Sequence, residues 1–287
     1  MPTLYVVATP IGNLNDISPR VRETLAAVDL VAAEDTRVAM KLLNALNLSK
    51  PTVSCHRHNE QQKSAPLIAR MLEENIDIAL TCDAGTPAIS DPGQALVDAA
   101  WEAGITVIPI SGPSATVTAL SACGFDAREF AFYGFLPREK KPLHEKLMSI
   151  WRSGVPVAVV YESPHRIVKL VEQICASLPK CRLAVCCDLT KKYEKIIRGG
   201  CEEVLRQLEA NPNVEKGEYC AVIDLSPLGE APKETVQISP LGLMFELMMD
   251  GESIADAARQ AIEAGCGRNE VYQAKIRLKE IFEEDEE

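Results

Sequence analysis

Residues 76–93 read Ile-Asp-Ile-Ala-Leu-Thr-Cys-Asp-Ala-Gly-Thr-Pro-Ala-Ile-Ser-Asp-Pro-Gly. The first six predict a buried β-strand, because a short, largely apolar run bounded by turn residues is typical of a strand inside a parallel sheet. Residues 83–93 are rich in small residues and proline, which make a loop that is stiff and open to a flat ligand. So long a loop after a strand indicates ligand binding more than a purely structural role.

Short apolar segments alternate with amphipathic ones throughout the first part of the chain. This pattern predicts an α/β domain with a largely parallel sheet. Ser18-Pro19 and Asp91-Pro92 each place an N-cap residue before a proline, and we expect helices to begin there. Ser163-Pro164 repeats the Ser-Pro pattern and predicts a third helix start. The predicted strands are Leu4–Ala8, Leu30–Ala33, Thr52–Cys55, Ile76–Thr81 and Ile105–Ile110.

A second block is shorter in helix and richer in consecutive strands, which predicts a mixed sheet in a separate α/β domain. Its predicted strands are Phe130–Tyr133, Pro156–Tyr161, Arg182–Cys187, Lys195–Arg198 and Tyr219–Leu225.

Residues 226–237 have the proline and glycine content of a linker. Three helical patterns follow, over residues 240–249, 252–264 and 268–282. We therefore predict an N-terminal α/β domain over residues 1–115, a second α/β domain over 116–226, and a linker with a helical domain over 227–287.

The net charge of −11 argues against indiscriminate nucleic-acid binding, since phosphate contacts require Lys and Arg. Two local stretches, residues 138–152 and 191–198, are nevertheless basic, although such runs are often only a solvated face. The ten cysteines form no short-loop framework and no paired C-x-x-C, so we expect reduced thiols and no metal site. No apolar run is long enough for a membrane span, and we expect a cytoplasmic protein.

Several further loops follow predicted strands, where backbone amides and helix N-termini converge on ligands in α/β sheets. A simple turn, a helix cap or an ion pair accounts for each of them taken singly, and Asp35 in particular is placed to cap a helix. Glu162, His165 and Arg166 cluster at one strand end, and this clustering supports a functional site as well as it supports a cap or an ion pair. These loops comprise residues 8–14, 34–37, 111–115, 161–166 and 188–192.

Taken together and in order, these motifs resemble the RsmI family of 16S ribosomal RNA cytidine 2′-O-methyltransferases. The resemblance covers essentially the whole chain, including residues 268–272. It departs at Cys187-Asp188-Leu189-Thr190-Lys191, where family members usually carry Arg-Glu-Leu-Thr-Lys. The motifs are Thr9-Pro10-Ile11-Gly12-Asn13-Leu14, Glu34-Asp35-Thr36-Arg37, His58-Asn59-Glu60-Gln61-Gln62-Lys63, Asp83 to Gly93, Glu162-Ser163-Pro164-His165-Arg166 and Leu189-Thr190-Lys191.

The resemblance implies a two-domain α/β fold of the tetrapyrrole methylase type, also called class III S-adenosylmethionine methyltransferases, with a small C-terminal helical domain. It further implies a homodimer that binds S-adenosyl-L-methionine between the two α/β domains and methylates 16S rRNA in the 30S subunit, expected at cytidine 1402 in the decoding centre. The implied cofactor-binding residues are Pro10, Gly12, Asp83, Ala84, Gly85, Thr86, Ile89, Ser114, Ala115, Tyr161 and Leu189.

Lys191 and Glu162 are the candidate catalytic residues. As a hypothesis, Lys191 either removes the ribose hydroxyl proton as a base with a lowered pKa or stabilises the developing alkoxide as an ammonium. No metal is needed, because the sulfonium methyl is already activated. We assign RNA contacts to Arg37, His58, Arg138, Lys140, Lys141, Arg166 and Lys192, and expect binding to ribosomal subunits to weaken steeply with salt.

Two other functions remain open from the sequence. One is a small-molecule methyltransferase acting on precorrin-type tetrapyrroles, although those enzymes typically have a more glycine-rich first loop and no helical tail. The other is a ribosome-binding protein without catalysis, which calorimetry with S-adenosylmethionine would distinguish.

Overall fold

The computed structural model describes residues 1–231 and 239–283 of the chain. Two compact units are present, Met1–Ala231 and Pro232–Glu287. Residues 232–238, which include the last part of the predicted linker, lie outside the described residues. The boundary near residue 115 and the three-domain division stay predictions.

The first sheet of the larger unit is entirely parallel, with strand order β3-β2-β4-β1-β5. Its strands are β1 Thr3–Val7, β2 Leu30–Ala33, β3 Thr52–Ser54, β4 Ile78–Thr81 and β5 Thr106–Ile110. The helices between them are α1 Pro19–Ala27, α2 Thr36–Ala45, α3 Glu60–Glu74 and α4 Gln94–Glu102.

Helices cover both faces of this sheet, which explains why its central strands are apolar without interruption. Alternate residues of β4 enter different cores, because successive side chains of a strand point to opposite faces. Ile78 and Leu80 pack in one core, whereas Ala79 packs in the other. All four residues of β4 are buried, as the apolar run at residues 76–81 predicts.

The second sheet is mixed, as predicted, with strand order β6-β7-β10-β8-β9. Only β6 and β7 are parallel neighbours; β10 runs antiparallel between β7 and β8. Its strands are β6 Phe130–Phe135, β7 Val157–Glu162, β8 Arg182–Cys187, β9 Lys195–Gly200 and β10 Tyr219–Asp224. The helices of this region are α5 Ala115–Cys123, α6 Lys140–Arg152, α7 Ile167–Ser177 and α8 Cys201–Glu209.

The described residues of the smaller unit form three helices: α9 Pro240–Met249, α10 Ile254–Glu263 and α11 Arg268–Glu283. Met244, Ala257 and Leu278 belong to its own small core. Among the described residues, no helix is both long and apolar enough to cross a membrane. Each of the ten cysteines is a free thiol, as expected.

Helix starts at Ser-Pro and Asp-Pro were predicted correctly in one place and wrongly in two. Ser18 caps α1, with its hydroxyl accepting a hydrogen bond from the Val21 amide. The prediction at Asp91-Pro92 is wrong: α4 begins at Gln94, because Gly93 has a φ of +124° and keeps the preceding residues in the loop. A start at Ser163-Pro164 is also wrong, because α7 begins at Ile167. The residues before it form a turn in which the Ser163 carbonyl accepts a hydrogen bond from the Arg166 amide.

Candidate active site

The loops that end strands of both sheets surround one cavity of about 450 Å³. The first sheet contributes the carboxyl ends of β1, β4 and β5. The second contributes the carboxyl ends of β6, β7 and β8 and the amino end of β10, because β10 runs in the opposite direction. The lining residues are Ile11, Ala84, Gly85, Thr86, Ile89, Ser90, Asp91, Ser114, Ala115, Thr116, Phe135, Tyr161, Glu162, Ser163, Pro164, Cys186, Leu189, Glu218, Tyr219 and Cys220.

A two-way backbone bridge joins the loops after β1 and β4. The Thr9 amide donates to the Gly85 carbonyl at 2.8 Å, and the Gly85 amide donates to the Thr9 carbonyl at 3.1 Å. The buried Thr9 hydroxyl also donates to the carbonyl of Cys82 at 3.1 Å. Gly85 has a φ of +85°, which side chains disfavour. The two loops are therefore held together as one wall of the cavity.

A hydroxyl pair connects the beginning of α5 to the second sheet. Thr116 Oγ1 and the Tyr161 hydroxyl are 2.8 Å apart. Burial raises the pKa of Tyr161, so its hydroxyl stays protonated near neutral pH. The Tyr161 ring makes edge-to-face contacts with Phe132 and Phe135, at centroid distances of 4.9 and 5.9 Å. These contacts fix the second wall of the cavity.

The cavity is acidic. Asp91, Glu162 and Glu218 line it, and none of the described lining residues is Lys, Arg or His. Burial raises the pKa of Asp91, although a hydrogen bond with Cys82 and the charge of Arg57 act against this. Lys191 and Arg166 pair with Glu218 and Glu162 from outside the lining, so the lining presents carboxylates and no cationic side chain of its own.

Glu162 is almost completely buried, and its two carboxylate oxygens differ. Oε1 accepts hydrogen bonds from the Ser163 amide at 2.7 Å and the Ser163 hydroxyl at 3.2 Å. Oε2 lies 3.3 Å from a guanidinium nitrogen of Arg166 but has no hydrogen-bond partner of adequate geometry within the described residues. A buried oxygen left in this state indicates a hydrogen bond to a ligand.

Lys191 lies beside the cavity and is held by two carboxylates. Its Nζ is 3.0 Å from Glu218 Oε2 and 3.5 Å from Asp188 Oδ1. Burial acts to lower the pKa of Lys191, but the hydrogen bonds and charges of Glu218 and Asp188 outweigh it and raise the pKa. The hypothesis of a lowered pKa is therefore wrong for this arrangement, and Lys191 is an ammonium.

The loop that carries Lys191 has an unusual backbone. Asp188 and Thr190 have φ values of +50° and +67°, which cost free energy in residues other than glycine, most of all in a β-branched one. Such strain is typical of functional sites. Asp188, which replaces the usual family glutamate, keeps a carboxylate beside Lys191, and its Oδ1 also accepts from the Glu218 amide.

Eight of the eleven predicted cofactor residues line the cavity: Ala84, Gly85, Thr86, Ile89, Ser114, Ala115, Tyr161 and Leu189. Pro10, Gly12 and Asp83 do not. A Cβ on Gly12 would lie 2.5 Å from Lys191 Cγ, so this glycine adjoins the catalytic candidate instead. Asp83 is exposed and accepts a hydrogen bond from the Asp35 amide.

The cavity also contains residues at the amino end of β10 that were not predicted to lie there: Glu218, Tyr219 and Cys220. The strand itself was predicted, but no motif marks its amino end. Only the antiparallel pairing of Tyr219 with Glu162 and Cys187 brings these residues to the cavity.

All of the predicted RNA contacts are exposed except Arg166. Arg37, His58, Arg138, Lys140, Lys141 and Lys192 are exposed. Arg37 is paired with Asp35, which caps α2 as the sequence suggested. Arg166 is mostly buried, pairs with Glu162 and donates to the Pro137 carbonyl, so its environment favours positioning Glu162.

This fold, with a cavity between the strand ends of two α/β sheets, defines the class of tetrapyrrole methylases. Residues 3–205 match the family described as Tetrapyrrole (Corrin/Porphyrin) Methylases. A solved structure of uroporphyrin-III C-methyltransferase from Thermus thermophilus, complexed with S-adenosylhomocysteine, has a TM-score of 0.53 and 16% identity. The match covers 77% of this chain and 97% of that one.

Two curated relatives are similar over nearly the full length. A ribosomal RNA small subunit methyltransferase I from Synechocystis sp. is 40% identical over 97% of this chain and 99% of its own length. One from Halalkalibacterium halodurans is 39% identical over 94% of this chain and 93% of its own length. The chain belongs to the ribosomal RNA small subunit methyltransferase I family, which confirms the predicted family, fold class and S-adenosylmethionine cofactor.

Proposed function

We propose that this protein transfers the methyl group of S-adenosylmethionine to the ribose 2′-hydroxyl of a cytidine in 16S ribosomal RNA. The observation that carries the proposal is the acidic cavity built by the strand ends of both sheets. Family membership adds the small-subunit RNA as the substrate, and the resemblance adds the 2′-oxygen of the decoding-centre cytidine.

The residues of the cavity fit the cofactor. Its volume of about 450 Å³ suits a ligand of this size. Asp91, Glu162 and Glu218 would supply negative charge to a bound sulfonium cation, while Ile11 and Leu189 provide apolar surface. Glu162 Oε2 is ion-paired with Arg166 but makes no hydrogen bond within the described residues, so it would be able to accept one from a ligand donor.

S-adenosylmethionine supplies an activated methyl group, so the protein's main task is alignment of the acceptor oxygen. Alignment alone contributes roughly 7–11 kcal/mol to lowering such a barrier. We assign stabilisation of the forming alkoxide to the Lys191 ammonium, which Glu218 and Asp188 hold in place. Glu162 remains the second catalytic candidate, as the base that accepts the proton of the ribose hydroxyl, with Arg166 as its positioning residue.

A Gly12→Ala variant should lower methyl transfer by about tenfold or more without unfolding the protein. The added Cβ would lie 2.5 Å from Cγ and 2.9 Å from Cε of Lys191, a flexible side chain that would be displaced. Initial rates and thermal unfolding midpoints test this. Gly200→Ala is the matched control, since no atom of the described residues lies within 4 Å of a Cβ there; equal rates for both variants would contradict the placement.

The preference for S-adenosylmethionine over S-adenosylhomocysteine should decrease as the pH is lowered from neutral toward the ordinary carboxyl pKa of 3.8. Only the first ligand carries a sulfonium charge, and ionised Asp91 favours it. Because burial raises the pKa of Asp91, protonation begins at a higher pH than it would at this ordinary value. Calorimetry with both ligands measures the ratio. Asp91→Asn should remove the pH dependence and Asp98→Asn, on the exposed face of α4, should retain it.

RNA as substrate is supported by the exposed basic residues and by the extent of the similarity. The two ribosomal RNA methyltransferases cover 94–97% of this chain, against 77% for the uroporphyrin enzyme. We retain the predicted homodimer, binding to the 30S particle and cytoplasmic location as parts of the proposal. Sedimentation equilibrium would test the dimer.

Mass spectrometry of small-subunit RNA nucleosides, from cells with and without this gene, tests the function. We expect one 2′-O-methylcytidine to disappear without the gene and to return with it. Unchanged RNA would reject the proposal. Calorimetric binding of S-adenosylmethionine to the purified protein would then separate a small-molecule methyltransferase from a binding protein.

A further inference from the structure

Two large apolar side chains are exposed at the cavity although both line it. Ile89 is 66% exposed and comes from the loop after β4; Phe135 is 65% exposed and ends β6. Single exposed apolar residues are common on protein surfaces and need no explanation. Here one residue from the side of each sheet borders the same cavity, which indicates that both contact the same ligand.

The local structure holds Phe135 in a defined position. The β6–β7 register shifts between Phe132 and Gly134, and Gly134 has a φ of +60°. The Phe135 ring then contacts the Tyr161 ring edge to face. The aromatic ring is thus positioned before any ligand binds.

The loop that carries Ile89 is also constrained. Ala88 has a φ of +65°, and its amide donates to the Pro92 carbonyl. Arg57 donates to the Ser90 carbonyl at 2.8 Å, which brings a guanidinium next to Ile89. This side of the cavity entrance therefore combines an apolar contact with a cation.

We propose that Phe135 stacks on the base of the nucleotide to be methylated and that Ile89 provides the apolar contact from the opposite sheet. The inference rests on the proposed function, because it assumes an RNA acceptor. Proteins that recognise RNA by sequence commonly splay bases out of their stack and place them against aromatic side chains, and Phe135 offers such a ring beside the cavity. Arg57 supplies positive charge for a neighbouring phosphate.

Steady-state methyl transfer to 30S subunits lacking the modification tests this with five variants. Phe135→Ala and Phe135→Leu should lower kcat/KM for the subunits at least tenfold, while Phe135→Trp retains most of it. Ile89→Ala should give a smaller decrease in the same parameter. Phe130→Ala, a partly exposed phenylalanine at the other end of β6, should behave like the wild type. Cofactor affinity, measured by calorimetry, should stay within about twofold of the wild type for the Phe135 and Phe130 variants. Ile89 is also a predicted cofactor residue, so its variant is compared by kcat/KM at saturating cofactor.

Wild-type kcat/KM in Phe135→Leu would overturn the stacking role, because leucine keeps apolar area but has no aromatic face. If Phe135→Ala lowered cofactor affinity by the same factor as kcat/KM, Phe135 would be a cofactor contact. That result would also overturn the stacking role. A wild-type protein that binds the cofactor but leaves the subunits unmethylated would instead reject the proposed function, and the stacking inference with it.

Discussion

A Lys191→Met variant should bind S-adenosylmethionine like the wild type and transfer its methyl group roughly 10²–10³ times more slowly. Methionine keeps most of the side-chain length that packs beside Gly12, but it removes the ammonium 3.0 Å from Glu218. The lost interaction is one that strengthens as the ribose oxygen becomes negative, so the rate falls and the affinity does not.

Single-turnover transfer to 30S subunits, with calorimetry for the cofactor, measures the two effects separately. Lys180→Met, at an exposed position after α7, is the control for loss of a positive charge. A rate within twofold of the wild type for Lys191→Met would remove this residue from the mechanism. Equal losses of rate and cofactor affinity would make Lys191 a binding residue.

An Ala84→Phe variant should lower S-adenosylmethionine affinity at least 100-fold, or about 2.7 kcal/mol. Ala84 lines the cavity and is itself exposed, so the larger side chain enters the ligand's space without disturbing the core. Ala65→Phe, on the exposed surface of α3, adds the same ring away from the cavity.

Calorimetry of both alanine variants, together with their thermal unfolding midpoints, provides the comparison. We expect Ala65→Phe to bind the cofactor as the wild type does and both variants to unfold cooperatively. Wild-type affinity in Ala84→Phe would mean that the cofactor lies elsewhere.

The strands were predictable because buried strands consist of runs of apolar residues. The predicted Leu30–Ala33 and Arg182–Cys187 match β2 and β8 in both bounds. Helix starts were less predictable, because a proline after a capping residue also suits a turn. At Asp91-Pro92, the positive φ of Gly93 decides the outcome, and dihedral angles are not read from composition.

Only the part of the cavity formed by loops after predicted strands could be predicted from the sequence. Loops after parallel strands meet at one edge of the sheet, so the loops at residues 83–93 and 111–115 were expected there. The resemblance then implied which of their residues bind the cofactor. The part from β10 depends on which neighbours this strand has, and pairing between distant segments has no local signal. The raised pKa of Lys191 likewise depends on Glu218, which lies far from it in sequence and near it only after folding.

The charge balance illustrates how a whole-chain property differs from a local one. The net charge of −11 argued against nucleic-acid binding in general. In the structure, three carboxylates line the cavity, whereas exposed basic residues such as Arg138 and Lys140 lie outside its lining. A cavity lined by carboxylates and exposed basic residues elsewhere are therefore compatible in one chain.

A crystal structure of this protein with S-adenosylhomocysteine tests the account most directly. We predict that the ligand occupies the cavity and contacts Gly85 and Thr86 from the first sheet together with Tyr161 and Leu189 from the second. Ligand density against one sheet only, or outside this cavity, would contradict the account.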